Sequence, residues 1–314
     1  MLTKVKTFIK SHSNQHTLGK QKSVLVISTP RSGSTWLMEL IWSQPGFKYC
    51  NEPDNLRNPI VRKLLGIHEW DQLYNHAYTN QIISYFKKIN DGTIRNLNPN
   101  PFSTFFRFRT NRIVFKILHS MEDQVILLAE SCNAIPLLLI RHPLAVSVSR
   151  EALPRLATFF TKDFSSGIPN TILNEARIIM DKGSFLQKAV VDWCFENYYP
   201  VKDVKDNKYK GILYEEMVIN PQKSIDMLAP YLNLNDKEVI HSYITKPSKT
   251  TAKSDALTKK IITQNYSSEA ILNKWKKKVS GKDIIDAQYV LDLFDIDIYK
   301  ANDGIPTNSF NDII

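Results

Sequence analysis

Cysteine is scarce in this chain of 314 residues, which has only Cys50, Cys132 and Cys194. An odd count at wide spacing excludes a disulfide framework and a paired-cysteine zinc site. The three thiols are expected to behave as small hydrophobes. Glycine numbers only 10 and proline 15, which excludes fibrous and low-complexity architectures. Long apolar runs are missing too. The densest, Val125–Ala129 and Ile135–Ile140, fall far short of the roughly 20 residues a membrane span needs. Residues 1–22 mix lysine with polar residues and lack the apolar core of a secretory leader. A soluble, cytoplasmic protein is therefore expected. Acidic residues are in deficit, 31 against 41 Lys and Arg, giving a net charge of +10. That balance favours anionic partners: phosphate or sulfate esters, polyanionic glycans, nucleic acid or an acidic membrane surface.

What is present is a repeating strand-to-helix pattern. Val24-Leu25-Val26-Ile27 is a short, β-branched, wholly apolar run, as suits a strand buried on both faces. The turn-forming cluster Ser28–Gly33 follows, and a helical pattern opens at Ser34 with Trp36, Leu37, Leu40 and Ile41 on one face. Further strands are expected at residues 112–118, 135–140 and 211–214, and helices over 170–202, 216–234 and 267–293. Strands alternating with helices predict an α/β fold, three layers α/β/α around a central parallel sheet. The expected organisation is a flexible basic segment over 1–22, one domain over 23–300 and a tail over 301–314. Within the domain, about residues 56–109 read as a helical insertion rich in basic and aromatic residues, among them Trp70, Tyr74, Tyr85, Phe86, Phe102 and Phe108.

Thr29-Pro30-Arg31-Ser32-Gly33-Ser34-Thr35-Trp36 carries the most chemistry per residue. A loop between a buried strand and a helix start turns backbone N–H groups toward one point, and the helix dipole adds to their pull on an anion. Gly33 permits close approach. Ser32, Ser34 and Thr35 add hydroxyls, and Arg31 adds a planar cation that grips two oxygens at once. Helix capping alone also places serine at such a start. A P-loop kinase would need G-x-x-x-x-G-K-[ST], and here one glycine stands without a following lysine. A basic polyanion-binding module is the non-enzymatic alternative. No nucleic-acid-reading motif is recognisable.

Pro30 to Leu37 resembles the 5′-phosphosulfate loop, roughly P-[KR]-[ST]-G-[ST]-[ST]-[WF]-L, of sulfotransferases that use 3′-phosphoadenosine 5′-phosphosulfate (PAPS). A second segment, Arg141-His142-Pro143-Leu144-Ala145 through Ser149-Arg150, resembles the family's R-D-P-x-A-x-x-x-S-R, with His142 where Asp is usual. Leu213–Met217 with Asn220-Pro221 is similar to its Y-E-D-L…P segment, and Ile271–Trp275 to a late helix. The resemblance implies a P-loop-like fold, PAPS as donor and no required metal. It assigns Arg31, Ser32, Gly33, Ser34 and Thr35 to the phosphosulfate, and Arg141 and Ser149 to the 3′-phosphate. Trp36, one turn into the helix, is placed either to stack on the adenine or to serve as a core aromatic. A local alternative pairs Arg141 with Glu151. The family's Arg-Lys-Gly element is missing, and residues 246–254 are either its replacement or a solvated loop.

The resemblance also names a base. Carbohydrate-type members carry Glu-Pro where Glu52-Pro53 stands, and their Glu is taken as the base. His119 is the second candidate, because cytosolic members use a His shortly after the Lys that Lys116 matches. Their spacing is two residues, whereas here it is three, and in a strand one residue reverses the face. Glu52 is therefore preferred. Lys116 is expected to neutralise the bridging oxygen. The acceptor implied is a hydroxyl on a carbohydrate or related metabolite.

Overall fold

A computed structural model describes residues 2–150, 156–244 and 268–307. Seven strands are found among them: β1 (Gln15–His16), β2 (Ser23–Ser28), β3 (Phe47–Asn51), β4 (Arg109–Thr110), β5 (Arg112–Ile117), β6 (Ala134–Ile140) and β7 (Lys210–Leu213). Five of them form one sheet in the order β3-β5-β2-β6-β7, and every pairing is parallel. β1 and β4 form a separate two-stranded parallel pair.

The apolar run at Val24–Ile27 explains the centre of the sheet. All residues of β2 are buried, with Val24 opposite both Val114 and Ile135. Alternation then sorts the side chains onto two faces. Val24, Val26, Val114, Leu137, Leu139 and Ile212 pack against the helices Ser34–Trp42, Pro221–Tyr231 and Lys237–Ile244. Leu25, Ile27, Phe115, Leu138 and Ile140 pack on the opposite side against Thr79–Asn90, Phe185–Lys205 and Gly281–Leu293. The three-layer arrangement is the expected one. Each fully buried aliphatic side chain contributes roughly 1.5–3 kcal/mol. The three cysteines are free and buried, and burial pushes the Cys50 and Cys132 thiols up to about 12.

Local signals interrupt elements that the periodicity reads as continuous. The helical pattern over 170–202 divides into Asn170–Lys182 and Phe185–Lys205, because Ser184 and Gln187 form a reciprocal capping box after Gly183. Ser280 and Asp283 likewise start a new helix inside the stretch 267–293. Tyr214, expected to end a strand, is instead the first residue of the helix Tyr214–Ile219. Helix Leu2–Ser13 and strand β1 occupy the N-terminal segment, where mixed lysine and polar residues announced neither.

The chain leaves β2 toward β3 on one side and returns to β6 on the other, so connections diverge at the C-terminal end of β2. Open α/β sheets bind ligands at such a divergence. The residues 29–33 lie there.

Candidate active site

The loop after β2 is held open by two residues with left-handed backbone, Arg31 at φ 76° and Gly33 at φ 90°. The Thr29 and Ser32 hydroxyls bond to each other, and the Ser32 N–H donates to the Thr29 carbonyl at 3.3 Å. Gly33 is required twice over. Its φ is costly for any residue with a Cβ, and a Cβ there would lie 2.6 Å from the Tyr214 ring. Helix Ser34–Trp42 starts directly after it, with its first N–H groups at the loop.

The second corner follows β6 and reaches the first. Arg141 Nη1 donates to the Arg31 carbonyl oxygen at 3.1 Å, and the guanidinium lies 4.3 Å above the Tyr214 ring. Tyr214 also meets Trp36 edge-on, with centroids 6.0 Å apart. One tyrosine ring therefore links Gly33, Trp36 and Arg141. The corner behind Arg141 is built from buried polar groups. The His142 backbone N–H donates to Glu215 Oε1 at 3.0 Å, and the Tyr299 hydroxyl donates to Glu215 Oε2 at 2.7 Å. Burial pushes the Glu215 carboxyl above the usual carboxylate range. His142 stacks on Trp275 at 4.5 Å, and burial holds its imidazole down at about 4. Helix Pro143–Ser147 is short, so Ser149 lies just past it and not two turns into it. Its hydroxyl donates to the Val146 carbonyl at 2.8 Å. Arg150 pairs with Asp192 and Glu196 on the helix Phe185–Lys205. Glu151 and residues 246–254 lie outside the described residues.

A third cluster sits where β3 and β5 end. Glu52 Oε1 is 2.8 Å from Lys116 Nζ, which also donates to Thr35 Oγ1 at 3.1 Å. The carboxylate on one strand end, the ammonium on the next and the phosphate loop are thus in one chain of contacts. Lys116 is almost fully buried, its side chain 5% exposed, against 23% for Glu52. Pro53 keeps Glu52 out of the right-handed helical region, but the backbone is left-handed at φ 51° and not extended. His119 lies on the turn after β5 with its ring edge-on to Trp70, centroids 5.2 Å apart. Its backbone N–H donates to Asp54 Oδ2 at 2.8 Å, and its carbonyl accepts from the Tyr74 hydroxyl at 2.9 Å. Asp54 is buried, and burial pushes its carboxyl up to about 7.

The structure brings Arg141 to Arg31 and Lys116 to both Glu52 and Thr35, and it adds Tyr214, Asp54 and Asn55, which the sequence did not single out. The Y-E-D-L-like segment is the available signal for Tyr214. Asp54 and Asn55 stand beside Glu52-Pro53, yet no spacing marks them. Of the aromatic residues in the insertion, Tyr74, Tyr85 and Phe86 are core residues, whereas Phe102 and Phe108 are exposed.

The chain is thus an α/β protein with a central parallel sheet and two arginine-bearing corners in contact at the C-terminal edge of that sheet. The family model described as "Sulfotransferase domain" matches residues 21–290, and the chain belongs to that family of PAPS-using enzymes. It is a sulfotransferase. Solved structures similar to it include the sulfotransferase domain of the Synechococcus PCC 7002 olefin synthase, with 14% identity and a TM-score of 0.46 over 91% of this chain and 100% of that one. The sulfotransferase domain from the curacin biosynthetic pathway has 15% identity and a TM-score of 0.43, covering 88% and 99%. Mouse sulfotransferase SULT7A1, solved with PAP, has 12% identity and a TM-score of 0.46, covering 92% and 89%. No curated protein matches in sequence.

The residues present fit the adenosine donor of the family. Arg141 Nε is buried with no hydrogen-bond partner among the described residues, so the guanidinium keeps an unused donor at the corner. Among the described residues no group of three His, Cys, Asp or Glu is arranged to hold a metal ion, and no helix is long and apolar enough to cross a membrane.

Proposed function

We propose that this sulfotransferase moves the sulfuryl group of PAPS to a hydroxyl of a carbohydrate or related metabolite, with Glu52 as general base. The contact chain Glu52–Lys116–Thr35 carries the reading, because it ties a carboxylate to the phosphate loop through one ammonium. When bound, PAPS supplies the sulfuryl group and leaves as adenosine 3′,5′-bisphosphate.

The chain's own residues then have separable tasks. Arg31, the Ser34 and Thr35 hydroxyls and the free N–H groups of the helix start hold the 5′ end. Trp36 lies beside the adenine. Arg141 takes the 3′-phosphate, and Ser149 joins it once its hydroxyl rotates away from the Val146 carbonyl. An ammonium has three N–H donors. Lys116 spends two on Glu52 and Thr35, and the third serves charge that builds on the bridging oxygen. Glu52 accepts the acceptor hydroxyl's proton as the new O–S bond forms and the S–O bond to the phosphate breaks. Trp70, half-buried against His119, offers a ring face for a sugar.

Adenosine 3′,5′-bisphosphate is expected to raise the melting temperature of the full chain, and no shift at saturating ligand refutes the donor assignment. Glu52→Gln should keep that shift while kcat falls by about 10²–10⁴-fold, the usual worth of a general base. An unchanged kcat transfers the base role to His119.

A further inference from the structure

We infer that Asn55 is a positioning residue that sets the plane of the Glu52 carboxylate; the inference rests on Glu52 being the base. Asn55 Nδ2 donates to Glu52 Oε2 at 2.8 Å, while Lys116 holds Oε1 at 2.8 Å. Each oxygen thus has one donor and keeps lone-pair capacity for an incoming hydroxyl. The two donors differ in kind. An ammonium is a compact point charge on a flexible stem and leaves the carboxylate free to turn about its bond to Cγ. A second donor on the other oxygen removes that rotation.

The amide orientation is dictated by its surroundings. Asn55 Oδ1 accepts from the Arg57 backbone N–H at 3.1 Å. A backbone N–H only donates, so the oxygen must face it and the NH₂ must face Glu52. The loop beneath is also anchored. The Asn55 N–H donates to the Glu52 carbonyl at 3.2 Å, closing a turn over Pro53 and Asp54 directly after the left-handed Glu52. The buried Tyr85 hydroxyl donates to the Pro53 carbonyl at 2.8 Å, and Asp54 is tied to the turn after β5 through the His119 N–H. Asn55 therefore starts from a rigid base, and its amide transmits that rigidity to the carboxylate.

The test uses Asn55→Asp and Asn55→Ala in the full chain. Aspartate keeps an oxygen for the Arg57 N–H but cannot donate to Glu52 when ionised. Both variants should lower kcat by about 10–100-fold, the scale of a small misplacement of a reacting group, with KM for the acceptor changed far less. The acceptor is whichever member of a panel of methyl glycosides and phenols turns over with PAPS. Calorimetric Kd for adenosine 3′,5′-bisphosphate should stay within about twofold of wild type, because Asn55 touches none of the phosphate anchors. Glu52→Gln/Asn55→Asp should be no slower than Glu52→Gln alone. A second readout needs no turnover: the Glu52 carboxyl ¹³C resonance, identified by its loss in Glu52→Gln, should move in Asn55→Ala. Asn55→Asp at wild-type kcat, with Glu52→Gln impaired, overturns the inference and leaves the base intact. Glu52→Gln at wild-type rate overturns the base instead, and an unmoved resonance in Asn55→Ala then overturns the positioning as well.

Discussion

Replacing Gly33 by alanine probes the junction between the two corners. The new Cβ meets two separate obstacles. A backbone at φ 90° costs an L-residue roughly 1–2 kcal/mol. The Cβ would also stand 2.6 Å and 2.7 Å from two carbons of the Tyr214 ring, a separation that real Cβ atoms do not sustain. Overpacking of this kind costs roughly 1–3 kcal/mol. The ring cannot retreat without cost, because Trp36 and the Arg141 guanidinium lie against it. Gly33→Ala should therefore destabilise the chain by about 2–5 kcal/mol in urea unfolding. In a Tyr214→Ala background only the backbone share should remain, about 1–2 kcal/mol. The coupling between the two sites is then about 1–3 kcal/mol. Adenosine 3′,5′-bisphosphate binding should weaken in Gly33→Ala, because a shifted loop carries its N–H donors with it. Equal cost in both backgrounds refutes the clash, and no cost in either refutes the loop geometry itself.

Acid should act through His142. Its imidazole is held at about 4 instead of the ordinary 6.5 by burial, so the unfolded chain binds more protons between those values. Stability supplied by the neutral ring is whole above pH 6.5 and falls by about 3 kcal/mol as pH drops toward 4. Urea unfolding of His142→Gln, which has no such titration, should show a flatter profile over that range. Lys116→Ala should lower kcat by about 10²–10³-fold in steady-state assays, since it removes both the charge for the bridging oxygen and the link from Glu52 to Thr35. A kcat near wild type would show that neither task belongs to Lys116.

The frame of the molecule is largely local and so was legible. The apolar run at Val24–Ile27, the breaker at Ser28–Gly33 and the helical face from Ser34 define a strand, loop and helix without reference to the rest of the chain. Arg141-His142-Pro143 repeats that logic after β6. Gly183 with Ser184 was legible too but is masked by periodicity: the apolar period runs on through it, while the S-x-x-Q pattern of Ser184 and Gln187 caps a new helix there. The insertion's aromatic residues were harder still. Tyr85 and Phe86 are adjacent, and nothing in their spacing says that both point into the core.

Sequence alone determined that two strand-to-helix corners carry arginine and hydroxyl side chains, because the residue types and the short-range pattern that make such a corner are contiguous. Only the tertiary structure decided that the corners meet. Tyr214 comes to lie between Gly33 and Arg141 because β7 adds beside β6 in the sheet, and strand order is set by how whole layers bury their faces. The same holds for Glu52, Asn55 and Lys116. Their approach depends on β3 pairing with β5 in one register, Asn51 opposite Lys116, and a shift of one residue would turn the lysine to the other face.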